Sequence, residues 1–171
     1  MRIALALLAT LALLTGCYDT EQRVLQRGQD VGLAAGTWTC RNANDKDGGR
    51  VVLSGPAQAS PGDHVYRAVV DKSGYALRME KSGDLIIVEA DESGGRISHV
   101  FLRREADGAY AMLVPDNRPM LEALAGKHGV ELTFDRLGPP KPRGAPDKML
   151  AFLRGHTGQE LKKTSTCRKA G

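Results

Sequence analysis

Three cysteines and four histidines are the residues of this 171-residue chain with intrinsic reactivity near neutral pH. His64, His99, His128 and His156 share no spacing that sets ligands on one helix face or across a tight turn, so no metal site is predicted from them. Cys40 and Cys167 lie near opposite ends of the chain, which excludes a Cys-x-x-Cys redox motif. The loop Asn44 to Gly49 has the carboxylate spacing closest to a cation site. Asp45, Asp47 and Gly48 would take the third, fifth and sixth positions of a calcium loop. The first and twelfth positions would then be Ala43 and Ser54, neither a carboxylate, so a solvated hairpin loop is predicted. The chain has no His-Glu-x-x-His, no Gly-x-Ser-x-Gly, no phosphate-binding loop and no Gly-x-Gly-x-x-Gly. No catalytic residue, metal ligand or cofactor is assigned.

Cys17 stands apart from this inventory. Arg2 precedes an apolar run from Ile3 to Leu14, interrupted only by Thr10, and the run closes on Leu14-Thr15-Gly16-Cys17. A basic head, a short apolar core and small residues before a cut site make a secretory signal, too short to span a bilayer comfortably. Its ending resembles the lipobox of bacterial lipoproteins. That resemblance implies cleavage before Cys17, a diacylglyceryl group on the Cys17 sulfur, and usually acylation of the new amino end. In double-membrane bacteria of that class an Asp after the cysteine retains the protein at the inner membrane. Here the residue is Tyr18, which points to the outer membrane, facing the periplasm. With Cys17 lipidated, Cys40 and Cys167 remain as an even pair in an oxidising compartment, and one structural disulfide is predicted.

The net charge is +4, and loss of residues 1–16 with their single Arg2 leaves +3, which is no nucleic-acid footprint. The basic residues are unevenly placed. Lys141, Arg143, Lys148, Arg154, Lys162, Lys163, Arg168 and Lys169 follow Pro139, against only Asp147 and Glu160. Beside a lipid anchor such a region offers a contact for anionic headgroups or for an envelope protein partner.

Residues 18–35 read as a short tether, with Thr20 or Asp19 capping a helix through Glu21, Val24 and Leu25 that Gly28 ends. From Gly36 the pattern becomes strand and turn. Thr37 to Asn42, Arg50 to Ser54, His64 to Asp71, Tyr75 to Glu80, Leu85 to Ala90, Arg96 to Arg104 and Ala109 to Val114 are predicted strands. Gly-containing links such as Lys72-Ser73-Gly74 and Lys81-Ser82-Gly83-Asp84 separate them and suit hairpins.

The last third alternates. Pro119 to Lys127 is a predicted helix ended by Gly129, and Val130 to Phe134 a strand. After the breaker-rich Gly138 to Pro142, Pro146 to Arg154 is a second helix and Glu160 to Cys167 a second extended piece. Leu121, Leu124, Gly126, Gly129, Glu131 and Leu132 match Leu150, Leu153, Gly155, Gly158, Glu160 and Leu161 at a constant offset. That is either a duplicated helix–strand unit, whose strands would pair in parallel, or convergence of two similar helix ends.

The predicted fold class is α+β, an antiparallel meander of about seven short strands followed by helix–strand–helix–strand. Its boundaries are 1–16 for the removed signal, 17–35 for the lipidated tether and 36–171 for one domain, with the meander at 36–115 and the αβαβ part at 118–168. The alternative is a small barrel. Gly36-Thr37-Trp38 resembles the Gly-x-Trp signature of lipocalins, in which the Trp packs across one end of an eight-stranded barrel holding an apolar ligand. The resemblance covers three residues, and the two helix–strand pairs depart from the single helix that follows a lipocalin barrel. The expectation for function is a non-catalytic envelope lipoprotein serving as an interaction or accessory module. A carrier or sensor of a small apolar ligand and an envelope hydrolase are the alternatives.

Overall fold

A computed structural model describes residues 17–42, 48–92, 95–135 and 138–170. The loop weighed as a calcium site falls largely outside them. Seven strands follow one another by short links: β2 (Gly36–Arg41), β3 (Gly49–Ser60), β4 (Asp63–Val70), β5 (Ser73–Ser82), β6 (Leu85–Glu92), β7 (Ile97–Arg104) and β8 (Tyr110–Pro115). A short β1 (Tyr18–Thr20) precedes them. After β8 come helix α1 (Arg118–His128), β9 (Glu131–Phe134), β10 (Pro140–Arg143), helix α2 (Pro146–Arg154) and β11 (Leu161–Lys169).

The meander does not stay open. Each of β2 to β8 pairs antiparallel with the next, and β11 then pairs antiparallel with both β8 and β2. The result is a closed eight-stranded barrel, so the barrel alternative describes this sheet better than the open meander. Closure removes the two strand edges that an open sheet would leave unpaired. Cys167 stands directly opposite Cys40 in the β11–β2 ladder, and the two form a disulfide.

Closure also defines an inside and an outside. Trp38, Leu53, Tyr66, Met79, Val88, Leu102, Tyr110 and Cys167 come from eight different strands and form one cluster, which only the lumen can assemble. A second cluster covers the outer wall of β6, β7 and β8. There Leu85, Ile87, Phe101, Ala111 and Leu113 pack under Leu121 and Ala125 of α1 and Met149, Phe152 and Leu153 of α2. Leu85 to Glu89 are all buried because β6 faces the lumen on one side and the helices on the other. That double burial accounts for its run of four successive apolar residues.

Three local expectations are corrected. Residues 17–35 are built into the domain rather than hanging as a tether, because Tyr18, Val24, Leu25, Val31 and Leu33 all find apolar cover. The helix expected through Glu21 to Leu25 is absent, and Gly28 instead permits close approach. A Cβ there would lie 2.0 Å from the His64 carbonyl oxygen. The two similar helix–strand units part company: β9 pairs antiparallel with β10, while β11 enters the barrel. The breaker-rich stretch supplies β10 itself. Pro140 and Pro142 occupy alternate positions, so their missing N–H groups fall on one edge of the strand and the other edge pairs with β9.

β3 also runs beyond its expected end at Ser54. Gly55 at φ 100° and a bulge between Ser54 and Ala57 carry the strand past Pro56, which has no donor to give the ladder.

The disulfide joins the first and last staves of the barrel and closes a loop of sequence separation 127. Replacing Cys40, Cys167 or both by Ser is expected to lower unfolding free energy by about 4 to 5 kcal/mol, by loop-closure entropy. Denaturant midpoints should show the double variant no worse than either single one.

Candidate functional site

The lumen has two unlike ends. At the end formed by the β3–β4 and β5–β6 links, residues 28–35 lie across the barrel as a strap. The Gly28 N–H donates to Asp63 Oδ1 (2.8 Å), and the His64 N–H donates to the Gly28 carbonyl (2.9 Å). The Gln29 N–H donates to the Met79 carbonyl (2.7 Å) and the Tyr66 hydroxyl to Asp30 (2.8 Å). Trp38 Nε1 donates to the Ala34 carbonyl (3.0 Å), so the Trp of the Gly-x-Trp segment packs under the strap, with Val31 and Leu33 pressed into the same cluster.

Asp63 is the strap's electrostatic anchor. Arg78 grips its carboxylate with two hydrogen bonds, of 3.1 and 2.9 Å, and these together with the Gly28 N–H hold its pKa below the ordinary carboxylate range. Both partners are largely buried. Breaking such a pair costs about 3 to 5 kcal/mol, against about 0 to 1 kcal/mol for an exposed pair.

Among the described residues, the opposite end, toward the β4–β5 and β6–β7 links, carries no such cover. Val51, Val70, Tyr75, Leu77, Ala90 and Val100 share the inward face there and are half-buried, whereas Tyr66 and Met79 near the strap are buried. An eight-stranded barrel is wide enough to be filled by its own side chains or to hold one small ligand. In this chain the strap half is filled, and the half-buried apolar ring forms a mouth.

Outside the lumen, two buried polar groupings tie the wall to its cover. Glu89 Oε2 accepts from the N–H groups of Val24 (2.6 Å) and Leu25 (2.8 Å) and from His99 Nε2 (3.1 Å). It pins the chain between β1 and the strap against β6, and it explains a histidine inside an apolar strand. His99 is fully buried.

The second grouping sits where β1 meets α2. His156 Nδ1–H donates to the Phe152 and Leu153 carbonyls (3.0 and 3.1 Å), which leaves Nε2 to accept from the Tyr18 hydroxyl at 2.9 Å. Tyr18 packs edge-on against Phe101 and Phe152. His156 thus satisfies the helix end as a neutral ring. Burial lowers its pKa despite the nearby Glu160. Burial alone would raise Glu160; the N–H groups of Glu160 itself, Thr157 and Gly158 reverse this and hold its pKa below the ordinary carboxylate range. The arrangement resembles a catalytic acid–base group in composition, yet it is sealed between aromatic rings and works as a structural clasp.

The sequence-assigned residues therefore fall in three places. Cys40 and Cys167 are joined in the barrel wall. Cys17 immediately precedes β1 and is buried, with its thiol pKa pushed up to about 12 by burial and by Asp19. The basic residues after Pro139 are dispersed: Lys141 pairs with Asp135, Arg143 with Glu21 and Arg154 with Glu80, while Lys163 and Arg168 pair with Glu105 and Asp107 on β11's outer side. Sequence reasoning missed the strap, whose signal was the apolar spacing of Val24, Leu25, Val31 and Leu33.

Acid should loosen the clasp in two stages. His156 has a lowered folded pKa, so stability falls as pH drops below its unfolded value of about 6.5. Glu160 is also depressed, so its contribution is present above about 4.5 and is lost below that. Thermal melts from pH 7 downward should show both stages, and His156→Gln should remove the upper one.

The chain matches no protein-family model, no curated protein and no solved structure.

Proposed function

We propose that this protein is a lipid-anchored envelope lipoprotein whose barrel carries or senses a small apolar molecule. The observation that supports the reading is the closed barrel with a filled, strapped base and a half-buried apolar mouth. Concave apolar sites with few polar groups are the usual form of small-molecule pockets. The barrel favours this reading over an accessory module that works by surface contact alone. The ligand would be short, because Trp38, Tyr66, Met79 and Leu33 occupy the strap half.

The anchor is the second part of the proposal. A diacylglyceryl group at Cys17 would join a chain that begins pairing at once, with Tyr18 opposite His99. The barrel would then sit against its membrane without a flexible spacer, held by two or three acyl chains far more firmly than by one.

Trp38 is the single tryptophan and lies in the lumen, so its emission reports binding there. Titration with an apolar fluorescent probe such as a naphthalene dye should give saturable one-to-one binding that changes Trp38 emission. Ala90→Phe, at the mouth, should weaken it. A probe that never saturates would overturn the carrier reading. For the anchor, the membrane-extracted protein should carry a diacylglyceryl adduct by intact-mass spectrometry, and Cys17→Ser should abolish it. A mature mass without acyl chains would end that part of the proposal.

A further inference from the structure

A face of the barrel that the carrier reading does not use is unusual in charge and shape. The outer sides of β2 and β11 form a groove of about 710 Å³ whose lining includes Thr39, Arg41, Lys163, Thr166, Arg168 and Lys169. Strand alternation explains the composition. Inward positions of these strands hold Trp38, Cys40, Ser165 and Cys167, leaving Thr39, Arg41, Lys163, Thr166 and Arg168 for the outer side; Lys169, opposite Trp38 at the end of β11, also lines the groove. The helices pack on β6 to β8, and among the described residues none of theirs lines this face.

Among the described residues, Glu105 is the carboxylate of the lining and Asp107 pairs with a lining cation. Glu105 takes Lys163 at 2.5 Å and Asp107 takes Arg168, both pairs being substantially exposed. Exposed pairs of this kind are weak and readily exchanged for another anion. Among the described residues that line the groove, Arg41 and Lys169 add cations, and Glu105 is the only carboxylate. Threonine hydroxyls between guanidinium and ammonium groups suit the oxygens of a phosphate-bearing headgroup.

The face also lies beside the anchor position. Lys163 pairs with Leu113, and Leu113 pairs with Phe101, whose ring Tyr18 touches. Two strand spacings, about 10 Å, therefore separate Lys163 from the β7 segment against which the chain emerging from Cys17 is laid.

We infer that the β2–β11 groove is a docking face for the anionic phosphate headgroups of the membrane that holds the Cys17 anchor. Its place in the cell rests on the anchored reading, but the face can be tested without the anchor, so the two can fail separately. Headgroup contact would fix the barrel's orientation, which lipid chains alone would leave free to tilt.

The test uses the chain from residue 17 carrying Cys17→Ser, sedimented with vesicles of phosphatidylcholine alone or mixed with phosphatidylglycerol. Binding is expected only to the mixed vesicles and should fall with added salt. Combining Arg41→Gln, Lys163→Gln, Arg168→Gln and Lys169→Gln should weaken it by about a hundredfold or more, at about fivefold per cation. Glu105→Gln with Asp107→Asn should strengthen it, an effect that unfolding would not produce. Arg118→Gln and Lys127→Gln, on α1, should change nothing. Equal binding to phosphatidylcholine, or equal losses from the α1 variants, would overturn the inference. So would abolition of vesicle binding by inorganic phosphate at matched ionic strength, which would mark a site for the free anion instead.

Discussion

The insertion of β11 between β8 and β2 is the constraint on which the rest of this structure depends. Without it, seven strands form a curled sheet with two open edges and one undivided set of apolar side chains. With it, the sheet closes and every alternating strand position is committed either to a lumen or to an outer wall. The disulfide lies within this closing ladder, between residues that the register already sets face to face. It ties together the two staves farthest apart in sequence, which pay the largest loop-closure entropy on pairing.

Closure then determines what the remaining segments must do. The excursion from α1 to α2 leaves the barrel after β8 and returns as β11, and both helices lie on the outer wall of β6 to β8. The chain before β2 is similarly committed. Its apolar residues divide between the two clusters: Tyr18, Val24 and Leu25 go to the wall, and Val31 and Leu33 to the lumen. Glu89, Asp63 and the Tyr18–His156 pair secure these attachments with buried hydrogen bonds. Each clasp sits where a non-regular segment meets a strand; Glu89 and Asp63 accept from backbone N–H groups and His156 donates to two carbonyls, groups whose burial without a partner would be costly.

Much of the strand pattern was legible because turn chemistry and alternation are local. Six of the seven meander strands lie close to their expected limits, β3 running on to Ser60 instead of ending at Ser54, and both helices start at a Pro-containing first turn as anticipated. The errors were of another kind. β10 was unreadable because two prolines argue against a strand unless both face the same unpaired edge. Residues 17–35 read as a tether because their apolar side chains serve two different cores, and so show no single period. The likeness between the two helix–strand units carried no pairing information, since pairing depends on which edges are vacant when each strand arrives.

What the sequence determined by itself was local chemistry. It contains the turns that make a meander, the glycine and proline punctuation of two helices, an even pair of cysteines, and a Leu-Thr-Gly-Cys ending to an apolar leader. Each of these rests on interactions among residues a few positions apart. Only the tertiary structure decided that the meander closes, that Trp38 faces a lumen, and that the cations of β11 meet Arg41 across one groove. Those facts depend on pairing between residues more than a hundred positions apart, and neither local propensity nor turn geometry encodes which distant edge a strand will meet.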